Sequence, residues 1–435
     1  MKLSVIGCGY LGAVHATAMA SIGHEVVGID VDAERIALLG AGRAPFFEPG
    51  LEEILDHAVG SGSLRFSADM SSAADATVHF IAVGTPQRGD GHAADLSYID
   101  SAVSALLPVL SPGDLVVGKS TVPVGTAQRL AALVRPTGAR LVWNPEFLRE
   151  GFAVKDTLEP DRLVYGTSQD DDSGSDVAIL DEVYRTAISA GVPRLITDFA
   201  TAELVKVSAN AFLATKISFI NAMAEIAEST GADVTQLADA IGLDDRIGRR
   251  FLNAGIGFGG GCLPKDIRAF AARAEELGVG ESVRFLHEVD AINLRRRQRV
   301  VDLVVEALDG SPNGRHVAVL GLAFKPESDD TRDSPALDVA RRLQGAGAKV
   351  HAFDPAAIDT AKRVAPNITY AETALAAVSD AEVIVVATEW REFRDLNPED
   401  LAKATSSRTI IDARNCLDPE VWRGAGWTYR GMGRS

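Results

Sequence analysis

The strand-like run Leu3-Ser4-Val5-Ile6 passes directly into Gly7-Cys8-Gly9-Tyr10-Leu11-Gly12, after which the chain reads as a helix. A glycine turn between a strand and a helix constrains the fold more than any other stretch, because it is how a parallel βαβ unit begins. A second run, Glu25–Ile29, stops at Asp30. Further runs at Thr77–Val83, Leu115–Lys119, Arg140–Trp143 and Arg162–Tyr165 alternate with helical stretches, which predicts a parallel sheet with helices on both faces. The acidic stretch Asp170–Asp176 reads as a solvated loop.

From about Thr201 to Thr230 the pattern becomes one long alanine-rich helix, and more helices follow it. After about Gly314 the strand–helix alternation returns, with runs at His316–Leu320, Lys349–Phe353, Glu382–Ala387 and Thr409–Ile411. Val317-Ala318-Val319-Leu320-Gly321 echoes Leu3-Ser4-Val5-Ile6-Gly7, and the second strand of each half ends at an aspartate, Asp30 and Asp354. The expected fold is α/β: two doubly wound Rossmann-like domains, residues 1–198 and 301–435, joined by a helical segment, 199–300. A chain of 435 residues is long enough for such a plan.

The formal charge of −17 argues against nucleic acid or an anionic membrane as the main partner. No signal peptide and no membrane-spanning run is evident. The three cysteines, at 8, 262 and 416, have neither zinc spacing nor a disulfide framework, so a reducing cytoplasm and no metal site are expected.

In its strand–turn–helix context the Gly7–Gly12 motif is a dinucleotide fingerprint. Gly7 allows the turn, Gly9 lets a pyrophosphate approach, and Gly12 lets the helix pack closely. The pyrophosphate would rest on the helix N-terminus. Asp30 would bind both ribose hydroxyls and repel a 2′-phosphate, which favours NAD. Cys8 reads as packing. The loops Val83-Gly84-Thr85-Pro86 and Ser120-Thr121-Val122-Pro123-Val124 follow strands and face the same edge, as ligand loops or as ordinary turns. Asn144-Pro145-Glu146-Phe147-Leu148-Arg149-Glu150-Gly151 offers two carboxylates, either for chemistry or as a solvated helix start. Lys206 and Asn210 lie four residues apart on the long helix, where they could face a developing oxyanion together or simply meet solvent.

Cys262 ends the glycine-dense loop Gly257-Phe258-Gly259-Gly260-Gly261 and precedes a helix with Pro264 in its first turn. Helix N-termini favour thiolates, and Asp266 lies one turn on. The loop alone leaves two readings open, a nucleophile or a packed thiol. Lys325 and Arg332, after the first strand of the second half, suit diphosphate recognition or plain surface charge.

Six stretches, Gly7–Gly12, Ser120–Val124, Asn144–Gly151, Glu203–Asn210, Gly257–Asp266 and Gly321–Arg332, in this order and spanning nearly the whole chain, resemble the UDP-glucose 6-dehydrogenase family within the nucleotide-sugar dehydrogenases. The resemblance implies oxidation of a sugar C6 alcohol to a carboxylate with two NAD in succession. Cys262 would carry a thiohemiacetal and then a thioester. Lys206 and Asn210 would stabilise the C6 oxygen, Asp266 would handle the attacking water, and Thr121 and Glu146 would assist. For the cofactor it implies Gly7, Gly9, Tyr10, Leu11, Gly12, Asp30, Arg35, Thr85, Thr121, Glu150, Lys265 and Arg332. For the nucleotide sugar it implies Phe147, Leu148, Arg149, Glu150, Gly151, Lys206, Asn210, Arg246, Phe251, Leu252, Asn253, Gly255, Gly257, Phe324, Lys325 and Arg414. Arg246 would serve the neighbouring subunit of a homodimer whose long helices pack together.

The chain departs from the family pattern at Gly261, where serine is common, and at Asn253, where many members carry lysine. Leu263-Pro264 stands in place of Phe-Gln. The expected substrate is UDP-glucose, with GDP-mannose or a UDP-N-acetylhexosamine as the rival within the family. A two-electron hydroxyacid dehydrogenase would need no cysteine. A nucleotide-sugar sensor would not need Cys262, Lys206, Asn210 and Asp266 all intact.

Overall fold

The computed structural model describes residues 1–89, 91–168 and 174–434. The chain divides into two units, Met1–Ala209 with Ala272–Gly278, and Asn210–Ala271 with Val279–Ser435.

Eight strands build the first unit: β1 (Lys2–Ile6), β2 (Glu25–Ile29), β3 (Leu64–Ser67), β4 (Val78–Ile81), β5 (Leu115–Gly118), β6 (Arg140–Trp143), β7 (Leu163–Thr167) and β8 (Arg194–Asp198). Their order across the sheet is β3-β2-β1-β4-β5-β6-β7-β8. Strand order reverses between β1 and β4, which is where such sheets bind ligands. The loops after β1, β2, β4, β5 and β6 therefore share the carboxyl edge. Side chains alternate across the pleat. Leu3 and Val5 pack with Ala13 and Ala16 of the helix Tyr10–Ser21 on one face, and Ile6 packs with Ile99, Val103 and Leu130 on the other.

Two expectations need correction. The first sheet is not wholly parallel, because β6 and β7 pair antiparallel through Trp143 and Gly166. The acidic stretch is not all solvated loop. Residues 169–173 lie outside the described residues, but Asp176 sits in the helix Ser175–Val183, buried, with its Oδ1 2.6 Å from Arg140 Nε.

The second unit holds β9 (His316–Leu320), β10 (Lys349–Phe353), β11 (Thr369–Tyr370), β12 (Val383–Val386), β13 (Thr409–Asp412) and β14 (Thr428–Gly431). The order β11-β10-β9-β12-β13-β14 repeats the winding of the first six strands of the other sheet, and every pair is parallel. The echo between the two chain halves is thus architectural. The long helix runs Phe199–Thr230, and Leu263–Glu276 and Phe285–Ala307 follow it. In the second unit Ala211, Ala214, Ile267, Leu286 and Val289 from these helices share one apolar cluster with Phe258 of the glycine loop. Among the described residues no helix is long and apolar enough to cross a membrane.

Candidate functional site

In the first unit Gly9 is the N-cap of the helix Tyr10–Ser21 and brings no side-chain cap, so the first N–H groups of the helix are left for a ligand. A Cβ on Gly9 would meet nothing within 4 Å, whereas one on Gly12 would sit 1.8 Å from the Gly7 carbonyl oxygen. Asp30 follows β2. Its Oδ2 accepts from the Cys8 N–H at 2.7 Å and from Arg35 Nη1 at 3.0 Å, and its Oδ1 accepts from the Asp32 N–H at 2.9 Å. An open helix terminus with a carboxylate beyond the next strand fits a dinucleotide pyrophosphate and ribose.

The other loops on this edge are stitched to one another. Thr85 Oγ1 donates to the Thr121 carbonyl at 2.6 Å, and Ser120 Oγ donates to the Val83 carbonyl at 2.7 Å. Buried Glu203 reaches from the long helix to accept the N–H groups of Gly125 and Ala127, each at 2.7 Å, where the helix Thr126–Val134 opens. Tyr10 donates its hydroxyl to Glu48, and that carboxylate also accepts the N–H groups of Gly151 at 2.6 Å and Ala153 at 2.7 Å. Burial and the neighbouring Glu48 push the Tyr10 phenol well above its usual range. The loop from Asn144 to Gly151 is therefore tied to the glycine turn.

Lys206 Nζ lies 2.9 Å from Glu146 Oε1, with both side chains largely buried. Glu146 Oε2 also accepts the Leu148 N–H at 2.7 Å, which fixes the carboxylate. Two cations lie near the Phe147 ring, Lys206 Nζ at 5.7 Å and the Arg162 guanidinium carbon at 3.8 Å from its centre. Arg149 turns outward and forks onto Asp156. Glu150 is half-buried in the same loop.

In the second unit Cys262 is exposed, and its carbonyl accepts the Asp266 N–H at 2.9 Å, so it caps the helix Leu263–Glu276. Asp266 is buried. Its Oδ2 accepts from Asn210 Nδ2 at 2.7 Å and its Oδ1 accepts from Lys265 Nζ at 2.7 Å. Asn210, Lys265 and Asp266 thus form one cluster a single turn from the thiol. Burial and a neighbouring aspartate push both the Cys8 and Cys416 thiols far up.

The glycine loop is held from behind. Asn293 accepts the Phe258 N–H at 2.7 Å and donates to the Phe258 carbonyl at 2.9 Å. Gly257 has φ +102, and a Cβ there would fall 2.3 Å from Asn293 Oδ1. Arg414 donates to the carbonyls of Gly257 and Phe324 at 2.9 Å each and to that of Ala387 at 3.0 Å. Lys325 lies over the Phe324 ring, and exposed Arg332 forks onto Asp330. A side chain at Gly261 would meet the Arg332 guanidinium at 2.5 Å, so the missing serine leaves room for that arginine.

Leu252 and Gly255 are buried in the preceding segment, and Asn221 accepts the Gly255 N–H at 2.9 Å. Phe251 is exposed at φ +65, and Asn253 accepts from Arg249. Arg246 is exposed and pairs with Asp244. Asp354, the counterpart of Asp30, is consumed by its own fold. It accepts the N–H groups of Leu322, Ala323, Ala356 and Ala357 and the Trp390 indole N–H. Among the described residues no group of three or more His, Cys, Asp or Glu side chains could hold a metal ion.

Three family models match the chain in succession. They are the NAD binding domain of the UDP-glucose/GDP-mannose dehydrogenase family over residues 1–188, its central domain over 200–295 and its UDP binding domain over 318–419. The chain belongs to the UDP-glucose/GDP-mannose dehydrogenase family. Its NAD-binding assignment thus rests both on the family model and on the open glycine turn. A UDP-glucose 6-dehydrogenase of Rhizobium meliloti is 41% identical over 440 residues, covering 100% of both chains. The UDP-glucose 6-dehydrogenase TuaD of Bacillus subtilis is 40% identical, covering 100% of this chain and 93% of its own. A solved UDP-glucose dehydrogenase from Pyrobaculum islandicum superposes with a TM-score of 0.90 at 38% identity, covering 100% of this chain and 98% of the other.

Four residues that brace these loops have no role assigned from sequence: Glu48, Glu203, Asn293 and Lys119, whose ammonium donates to Asn144 Oδ1 at 3.1 Å. Glu48 lies in a Phe-Phe-Glu-Pro-Gly turn, and Glu203 and Asn293 lie on helices whose sequence shows only polar positions among apolar ones. Lys119 did stand next to a motif, since it precedes Ser120-Thr121 at the end of a predicted strand.

Proposed function

We propose that this chain is an NAD-dependent UDP-glucose 6-dehydrogenase that oxidises the C6 alcohol of UDP-glucose to the carboxylate of UDP-glucuronate. The observation that carries this reading is the exposed Cys262 thiol at a helix N-cap, one turn from an Asp266 carboxylate gripped by Asn210 and Lys265. A two-electron dehydrogenase has no use for that thiol. Relatives named for UDP-glucose, matched over the whole of this chain, support the choice of sugar.

Gly7, Gly9, Gly12, Asp30 and Arg35 would hold NAD, which supplies the hydride acceptor for each of two oxidations. In the first, the C6 alcohol gives up its hydroxyl proton and a hydride and becomes an aldehyde. The Cys262 Sγ then bonds to C6, and the former carbonyl oxygen takes the proton to complete a thiohemiacetal. Loss of that hydroxyl proton and a second hydride leaves a thioester. Water attacks it, the C–S bond breaks, and the carboxylate leaves the thiol free. Lys206 and Asn210 are assigned to the negative charge that gathers on the C6 oxygen. Asp266 is assigned to the water's proton and Thr121 and Glu146 to supporting roles. Lys325, Arg332 and Arg414 are assigned to the nucleotide-sugar and cofactor charge.

A homodimer in the cytoplasm completes the proposal. Phe212, Phe219 and Ile226 stand exposed at seven-residue intervals on the long helix, an apolar stripe suited to a second copy. Among the described residues Cys8, Cys262 and Cys416 are joined in no disulfide, which suits a reducing compartment.

The deciding experiment offers UDP-glucose, GDP-mannose and a UDP-N-acetylhexosamine with NAD and counts NADH per sugar. Two NADH per UDP-glucose is the expected result. One NADH per sugar removes the four-electron scheme, and preferential turnover of GDP-mannose removes UDP-glucose as substrate. Cys262→Ala should lower acid formation at least about a thousandfold.

A further inference from the structure

Among the described residues, two lysines are buried, and the proposed chemistry gives a task to Lys206 but none to Lys119. Lys119 follows β5 at the carboxyl edge of the first sheet and is 6% exposed. Its ammonium donates to Asn144 Oδ1 at 3.1 Å and to the Tyr184 hydroxyl at 3.2 Å. Both of those oxygens are neutral. The Tyr184 hydroxyl donates to the same Asn144 oxygen at 2.7 Å, and Asn144 Nδ2 donates to the Val164 carbonyl at 2.9 Å. The rings of Phe80 and Tyr184 lie 6.0 Å and 5.7 Å from Lys119 Nζ. A buried charge is normally paired or neutralised. This one is solvated by two dipoles and two aromatic faces.

The position gives it leverage. Lys119 immediately precedes Ser120-Thr121, and Asn144 lies two residues before Glu146. One hydrogen bond therefore ties together the starts of both loops. The Asn144 N–H bond to the Gly118 carbonyl, 2.8 Å, reinforces the same junction. Four titratable groups from the surrounding elements act on or with Lys119. Glu146, on its loop, favours the ammonium, and Lys206, on the long helix, opposes it. His15, on the first helix, is kept neutral by burial and by the Lys119 charge. The Tyr184 phenol is pushed far up by burial and stays protonated. Burial lowers Lys119 itself to about 8.

We propose that Lys119 is a positioning residue for the oxidation, pinning the Thr121 and Glu146 loops together and biasing the Glu146–Lys206 ion pair through its charge. The inference rests on the proposed roles of Glu146 and Lys206. A cation whose charge reaches the pair makes its members release protons more readily. Taking that cation away lets them hold protons to higher pH.

Two variants test this. Lys119→Met removes the charge while leaving Asn144 and Tyr184 bonded to each other. Asn144→Asp keeps the lysine but cancels its charge in place. Two measurements are made on the dimer or whichever assembly forms: the pH profile of kcat, and the pH dependence of Lys206 acetylation by acetic anhydride, read by mass spectrometry. In both variants both curves should move about one pH unit upward. For Lys119→Met, kcat at neutral pH should fall about tenfold or more while each KM stays within about threefold. A folded variant whose Lys206 labelling curve superimposes on that of the wild type overturns the proposal, as does a loss of kcat with an unmoved profile. If Lys119→Met does not fold, Asn144→Asp decides. A wild type that oxidises no nucleotide sugar would sink the functional reading instead, and the labelling curves would still judge Lys119.

Discussion

At the scale of single residues, Gly9 and Gly12 look alike in sequence but have different duties. Gly12 has no room, because its Cβ would lie 1.8 Å from the Gly7 carbonyl oxygen. Gly9 has ample room, at φ −67. What a methyl at Gly9 would obstruct is therefore a ligand and not the fold. Gly12→Ala should destabilise the protein by about 3 kcal/mol or more, since backbone must move to relieve the overlap. Gly9→Ala should keep its urea midpoint close to that of the wild type while NAD dissociates about tenfold more readily. Equilibrium unfolding and NAD titration of the two variants separate these outcomes, and a Gly9→Ala protein that binds NAD normally would remove the pyrophosphate from that turn. The cysteines obey the same distinction between packing and access. Cys8 is sealed under the glycine turn and its thiol pushed up, whereas Cys262 is exposed where a helix begins.

At the scale of elements, the cysteine loop depends on a helix far along the chain. Asn293, on Phe285–Ala307, satisfies both the N–H and the carbonyl of Phe258 in a buried setting. Asn293→Ala leaves the buried Phe258 N–H unmet and its carbonyl with only the longer Arg297 Nη2 bond, 3.4 Å, which should cost about 1–3 kcal/mol in urea unfolding. It should also let thiol reagents reach Cys262 faster, because the loop opens locally before the molecule unfolds. Unchanged stability and labelling would show that the loop holds itself. Such cross-bracing is what the sequence conceals. The strands near the centre of both sheets were legible because they are continuous apolar runs, and the glycine turn, Asp30, the long helix and the cysteine loop were legible because each breaks or extends a pattern. β3, β8, β11 and β14 were not. β11 has two residues, and the Arg-Leu-Ile of β8 is exposed at a sheet edge, so neither carries a buried-face alternation. The reversal at β7 was hidden because hydrophobicity marks a strand without marking its direction. Asn293, Glu203 and Glu48 were hidden because a single polar residue among apolar ones announces burial only once its partner is known.

At the scale of the whole molecule, proton uptake is distributed unequally between the two units. His15, His24 and His79 belong to the first unit and His351 to the second, and burial lowers all four below the usual histidine value. His79 is partly compensated by Asp114, at 3.4 Å, and shares a hydrogen bond with Ser4. His15 has no such relief, since both ring nitrogens are buried without a hydrogen-bond partner between Phe80 and Tyr184. A histidine with a depressed folded value stabilises the fold above its unfolded value, about 6.5. That stability is lost as the pH falls through the window below, at up to about 1.4 kcal/mol per pH unit for each group. The first unit should therefore weaken earlier than the second as pH drops from 7.5 towards 5. Hydrogen exchange, corrected for intrinsic rates, should show protection lost first in peptides of β1 and β4 and later in those of β9 and β12. His15→Leu removes a buried histidine of the first unit without breaking a hydrogen bond. Its stability at pH 7.5 should stay within about 1 kcal/mol of the wild type, and its decline below pH 6.5 should be shallower by up to about 1.4 kcal/mol per unit. If both proteins decline in parallel, His15 does not carry the acid sensitivity of the dinucleotide-binding unit.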